Sequence, residues 1–215
     1  YGVKQVDGIL GDFGVSSHQF KEAERGFSTR FDAKLDMRMD QTSKLSAYEV
    51  INEYDETQLR DLFYEYGELK NAPKLARTIV HERKDSPIEN SDNLNEILKP
   101  LLFKGRENKI LAQIYQAIRI EVNQEIEVLK EFLLQTEEIL KPGGRLSLIS
   151  YHSLEDRLVK RYIRSGMFKG EPEKDMFGNI SVPFKKVGKL IVPSNEEIKE
   201  NNRARSAKLR IAQKL

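Results

Sequence analysis

Apolar residues along the chain change their spacing several times, and each change marks an element. Val6 to Leu10 is a short apolar run with the length of a buried strand. It breaks into Gly11-Asp12-Phe13-Gly14-Val15-Ser16-Ser17, a loop of glycines, one carboxylate and two hydroxyls. Ser17 to Arg25 is polar and charged, and is predicted as a short helix or an ordered loop. From Arg25 to Asp40 neither a 2 nor a 3.6 period holds, so this segment reads as irregular chain pinned by Phe27, Leu35, Met37 and Met39.

Helical spacing begins near Ser46. Ser46 with Glu49, then Asp55 with Gln58, are two capping boxes, each ahead of apolar residues: Val50 and Ile51, then Leu59, Leu62, Phe63 and Tyr66. Gly67 is a natural stop. Asn71-Ala72-Pro73 opens a third helix with Leu75, Ile79 and Val80 on its apolar face. Ser91 is the expected cap of a fourth, with Leu94, Ile97 and Leu98. Four helices with no strand between them predict a helical domain over residues 45–108, inserted between parts spanning 1–44 and 109–215. That insertion would serve as a lid, a docking surface for a partner or a stabilising appendage.

Ile110 to Leu140 repeats apolar residues at helical spacing and predicts one long amphipathic helix. Lys141-Pro142-Gly143-Gly144 stops it, and the double glycine is no phosphate loop because it precedes the next strand. That strand holds Leu146, Leu148 and Ile149. Tyr151-His152-Ser153-Leu154-Glu155-Asp156 follows and leads into a helix with Leu158, Val159 and Tyr162. Residues 166–181 read as a loop, 182–192 as a strand, and Ser194 with Glu197 as the cap of a brief helix. Leu209, Ile211 and Leu215 alternate with polar residues as a last strand. Strand, helices, strand suggests a parallel crossover closed by an antiparallel pair.

Two polar clusters therefore follow two buried strands, at the edge where open α/β sheets hold ligands. Asp12 stands in the first, with Gly11 and Gly14 leaving room for close approach of a ligand. A polar turn capping the next helix gives the same pattern, so these residues alone leave both readings open.

Composition narrows the class. The 215 residues are 39% hydrophobic and 33% charged, enough for a sizeable core beneath an ionic surface. A net charge of +2 does not by itself announce a nucleic-acid protein, but Lys199, Arg203, Arg205, Lys208, Arg210 and Lys214 face only Glu200 in the last 17 residues. With no cysteine there is no disulfide framework or thiolate chemistry, which fits a cytoplasmic protein. No run approaches the roughly 18 apolar residues of a membrane span. The three histidines are far apart in sequence, so no metal site is expected.

The runs DGILGDFGVSSHQ, RGFS and LDMRMD, then YQAIRIEVNQEI, PGGRLSLISYHSLEDRLVK and NNRARSAKLRIAQK, resemble the RsmH (MraW) family. The blocks occur in the family's order and cover nearly the whole chain. Its members are bacterial S-adenosylmethionine-dependent methyltransferases of cytosine N4 in 16S ribosomal RNA. The resemblance implies a class I (Rossmann-like) α/β methyltransferase sheet, with S-adenosyl-L-methionine as cofactor and the small ribosomal subunit as partner. It places Asp12 and Gln19 on the cofactor. Ser16, Ser17, His152 and Ser153 become candidates, with Asp12, for holding the cytosine edge. Arg157, Lys160, Arg203, Arg205 and Lys208 become candidate phosphate contacts.

The chemistry asks for such residues. The lone pair of an exocyclic cytosine amine is delocalised into the ring. The amine must be held in line with the sulfonium methyl, and orientation is worth about 7–11 kcal/mol in the best intramolecular cases. Acceptors aimed at its N–H groups add about 3 kcal/mol each, by analogy with oxyanion donors.

The sequence departs from the family at Ala33-Lys34 in place of Gly-Pro, at Asn202 in place of Pro and at Tyr151 in place of Phe. The family's N-terminal glycine-rich loop and ribose-binding acid have no counterpart among these residues. From the sequence we therefore expect N-terminal strands to be missing from the sheet. We expect no cofactor binding or methylation by this chain alone, and either self-association through an exposed strand edge, a homodimer being one form of it, or a proteolysed remnant. A truncated or inactive chain that only binds ribosomal RNA is one alternative. A DNA amino-methyltransferase is another, against which stands the absence of an Asp/Asn-Pro-Pro-aromatic motif after the first strand.

Overall fold

The computed structural model describes the chain except Tyr1, Ser17, His18, Phe20, Lys21, Arg30, Glu173, Lys174 and Asn179, and only the backbone at Ala23. The chain forms two compact units, residues 15–125 and residues 1–14 with 126–215. The sequence-based boundaries at 44/45 and 108/109 fall inside the first of these. No helix among the described residues is long and apolar enough to cross a membrane.

The helical unit contains α1 (Ala47–Glu53), α2 (Glu56–Glu65), α3 (Ala72–Glu82), α4 (Ser91–Leu98) and α5 (Glu107–Val122). The capping boxes at Ser46/Glu49 and Asp55/Gln58 both form. The cap of α4 is Asn90, not Ser91. The Ser91 hydroxyl is instead buried, where it accepts from Ala33 N (2.9 Å) and donates to Phe31 O (2.9 Å). The irregular segment belongs to this unit because Phe27, Leu35 and Met37 are buried in its core with Ile51, Phe63 and Ile118. Asp36 takes Arg38 on both carboxylate oxygens, at 2.7 and 3.1 Å, and fixes the segment's turn.

The expected single helix over 110–140 is two helices, α5 and α6 (Glu125–Ile139), parted at Asn123 and Gln124. Gln124 has φ +49°, in the left-handed region. Asn123 explains the break. Its Oδ1 accepts from Met39 N (2.6 Å) and its Nδ2 donates to Met37 O (2.8 Å), so it serves the irregular segment instead of continuing a helix face.

In the sheet unit, β1 (Val6–Asp12), β2 (Leu140–Ser150), β3 (Phe184–Ile191) and β4 (Lys208–Lys214) lie in the order β1-β2-β4-β3. The first pair is parallel and the other two are antiparallel. This mixed α/β sheet fits the Rossmann-like architecture that the resemblance implies. β1 is an outer strand of the described sheet and less buried than its composition predicts, with Leu10 72% exposed. The glycines at 143 and 144 lie inside β2, not in a loop before it, and the register slips there. A Cβ on Gly144 would stand 2.9 Å from Lys141 O and 3.1 Å from Asp7 O. α7 (Ser153–Ser165) packs on β2, β3 and β4, and α8 (Asn195–Glu200) starts at the Ser194 cap. The core is Leu133, Leu146, Leu148, Val159, Tyr162 and Phe184 with their neighbours.

Candidate active site

Asp12 is the last residue of β1, two residues beyond the expected strand end at Leu10, and it is exposed. Its register partner on β2 is Ile149, and Phe13 N extends the ladder to Ile149 O at 3.1 Å. The carboxyl ends of two adjacent parallel strands thus finish side by side. Tyr151, just past β2, places its phenol beside the Asp12 carboxylate. Burial pushes the Tyr151 phenol above its ordinary range, and the negative charge of Asp12 beside it pushes it further. The two polar clusters singled out in the sequence therefore meet through these side chains.

Gly11 and Gly14 divide the roles given to them together. A Cβ on Gly11 would meet Leu148 Cδ2 at 2.9 Å and the Phe13 ring at 3.1 Å, so its small size serves packing. Gly14 has φ +86°, and the nearest atom to its Cβ position is Glu155 Oε1 at 3.9 Å. Its backbone is open in the way a ligand-facing turn requires.

His152 is the N-cap of α7, with the extended backbone of a cap (φ −133°, ψ 165°). Its Nδ1 accepts from Glu155 N at 3.5 Å. Glu155 answers with Oε2, which accepts from Tyr151 N (3.0 Å) and His152 N (3.4 Å). The His152 Nε2 lies 3.2 Å from Glu155 Oε1 but off the alignment of a hydrogen bond. Their side chains are 8% and 4% exposed. This reciprocal box fixes the turn that carries Tyr151 to Asp12. Ser153 is the first residue of α7.

Glu155 and Asp156 belong to the second polar cluster, and the sequence pattern assigns neither of them a role. The signal for Glu155 was present: His152 and Glu155 have the three-residue spacing of a capping box. Asp156 joins α7 to β4. Arg210 reaches both of its oxygens, at 2.7 and 3.1 Å, and Lys208 Nζ stands at 3.3 Å. Burial alone would raise the Asp156 carboxyl, but the Arg210 hydrogen bonds and charge, with Lys208, outweigh it and hold it low.

Lys208 is thus paired with a carboxylate. Arg157 and Lys160 are exposed on α7, and Arg203 and Arg205 are exposed on a 3₁₀ turn, Asn202–Ser206. Ser16 and Gln19 belong to the helical unit, where they bond each other reciprocally: Ser16 N to Gln19 Oε1 at 3.0 Å and Gln19 N to Ser16 Oγ at 3.3 Å. Ser17 lies outside the described residues.

The sequence pattern of the MraW methylase family matches residues 1–215. The chain belongs to that family. A protein of Christiangramia forsetii named ribosomal RNA small subunit methyltransferase H is 84% identical over all 215 residues, which span 71% of its length. Proteins of the same name from Flavobacterium johnsoniae and Bacteroides fragilis are 70% and 54% identical, over the same shares of each chain. Membership makes the chain a methyltransferase by family and gives the strand-end cluster its chemical context.

Proposed function

We propose that this chain carries the S-adenosylmethionine-dependent methylation of the exocyclic N4 amine of a cytidine in 16S ribosomal RNA, within the small subunit. The observation that carries the reading is the meeting of Asp12 and Tyr151 at the carboxyl ends of β1 and β2. It is supported by the similarity to proteins named ribosomal RNA small subunit methyltransferase H.

The residues fit the cofactor and the amine in kind. An exposed carboxylate ends a strand where open α/β sheets take ligands, beside the open turn at Gly14. When bound, the cofactor supplies an electrophilic methyl group on a sulfonium. Asp12 is the acceptor for N–H groups that become more acidic as the amine begins to bond to carbon. Tyr151 donates to Asp12 and so orients its carboxylate, leaving lone pairs free for the ligand. The His152–Glu155 box keeps Tyr151 in reach, and Ser153 faces the base as a second polar contact. Gln19 and Ser16 enter this reading through the resemblance alone, Gln19 toward the cofactor and Ser16 toward the base. Arg157, Lys160, Arg203 and Arg205 contact phosphates, and Lys208 does so only by sharing itself with Asp156.

Nucleoside analysis tests the reading. Unmethylated small-subunit RNA, treated with the intact protein and methyl-labelled cofactor, should yield labelled N4-methylcytidine after digestion. Label in a ring carbon, in a ribose hydroxyl or only in DNA would refute it.

A further inference from the structure

We propose a second RNA site in the sheet unit: a cavity walled by α7, β3 and β4 that holds one unstacked, non-target nucleotide of a single strand. This inference rests on the reading of the chain as an RNA methyltransferase and adds a location and a ligand to it.

The cavity measures about 490 Å³, within the roughly 300–1,000 Å³ of small-molecule sites. Six cations line it, Lys160, Arg164, Lys185, Lys186, Lys189 and Arg210, and no carboxylate side chain among the described residues does. Arg210 is held by Asp156. The other five have no ion-pair partner among the described residues. The floor includes Phe184, Ile211 and Leu215.

Lysines on an outer strand guard against unwanted sheet pairing, and Lys185, Lys186 and Lys189 on β3 serve that purpose whatever else they do. Edge protection does not explain why Lys160 and Arg164 of α7 converge on the same cavity, or why its floor is apolar. A free phosphate would use the cations and leave the floor wet. An apolar peptide would use the floor and leave five charges against it. A nucleotide uses both, with its base on the apolar surface and its phosphates among the cations.

The cavity also lies on a path from the strand ends. Arg157, Lys160 and Arg164 are exposed on α7 at spacings of three and four residues, which sets them in one stripe about 10 Å long. The stripe starts near the His152 cap and ends at the cavity. A strand presenting its target base at Asp12 would follow it to the second site.

Binding of labelled hexauridylate to the intact protein tests this, beside a ribose–phosphate hexamer of equal charge without bases. Lys185→Ala/Lys186→Ala/Lys189→Ala removes only exposed groups and should keep its melting temperature. It should weaken hexauridylate about tenfold or more and lower the log–log salt slope by about 2, at ~0.7 per lost contact. Val187→Trp, which fills the cavity, should weaken hexauridylate and leave the baseless hexamer unchanged. Equal binding of the two hexamers by the unmodified protein would overturn the base site. Full affinity in the triple variant, with loss in Arg203→Ala/Arg205→Ala, would overturn the cavity and leave the RNA reading standing. No hexauridylate binding by any form would sink the RNA reading itself. A triple variant that keeps its RNA affinity but loses self-association in light scattering would assign the surface to a second copy of the chain, against the proposal.

Discussion

Asp156 on α7 receives Nε and Nη2 of Arg210 on β4, at 2.7 and 3.1 Å, and this bidentate pair ties the helix behind the candidate site to the sheet. The Asp156 side chain is 11% exposed and that of Arg210 14%, so each would be costly to leave alone. Asp156→Asn should lower stability by roughly 3 kcal/mol near neutral pH, the low end for a broken buried pair. The sign with pH follows from the lowered Asp156 carboxyl. Its contribution is present above the unfolded value of about 3.9 and disappears as pH falls through the lower folded value. Chemical denaturation from pH 7 down to pH 2 should therefore show the two proteins converging in acid. A gap that stayed constant would remove the ion pair from the account.

Tyr151→Phe deletes only the phenol hydroxyl that stands beside Asp12 and, in the proposed function, orients it. A net hydrogen bond is worth about 0.5–1.5 kcal/mol, so the methylation rate should fall roughly two- to tenfold, with little change in melting temperature. Single-turnover rates on small-subunit RNA check it, and a loss of a hundredfold or more would give Tyr151 a direct part in the reaction.

Gly11→Ala probes the packing beneath the site. The added carbon meets the side-chain ends of Leu148 and Phe13 at 2.9–3.1 Å, and relief requires those side chains to repack. We expect a loss of about 1–3 kcal/mol by thermal or urea unfolding, as for other overpacked positions. An unchanged midpoint would mean that the two side chains yield freely.

The features legible in the sequence are those whose partners are near in the chain. Ser46 with Glu49, Asp55 with Gln58 and Ser194 with Glu197 form the helix starts their three-residue spacing announces. β2 and β4 were readable from their apolar patterning, and β3 from its place after Pro183. What escaped depends on partners far along the chain. Asn123 breaks the long helix because it serves Met39 and Met37, 84 and 86 residues earlier, and no periodicity reports such a bond. Asn90 and Ser91 both have capping chemistry, and the choice falls on Asn90 because the Ser91 hydroxyl is engaged 58 residues away at Ala33. At the candidate site, the sequence marked both polar clusters but not the contact between Asp12 and Tyr151, nor the carboxylates of Glu155 and Asp156 that hold the second cluster in place.

Asn123→Ala tests the helix break by itself. It leaves Met39 N and Met37 O without their partners, and a buried polar group left unpaired costs about 1–3 kcal/mol. Stability should drop by about 2–3 kcal/mol. Amide exchange should quicken at Met39 and in the neighbouring irregular segment. If exchange there were unaltered, Asn123 would not be what holds that segment.

The most direct test of the account is the single-turnover rate of N4-methylcytidine formation on small-subunit RNA by the intact protein and its Asp12→Asn variant. Asn is nearly isosteric but loses the charge and half of the acceptor capacity that would hold the amine. The account predicts the same melting temperature and a rate at least about tenfold lower, equal to about 1.4 kcal/mol or more of lost transition-state stabilisation. An Asp12→Asn variant that formed N4-methylcytidine at the unmodified rate would contradict it and reduce Asp12 to the end of a strand.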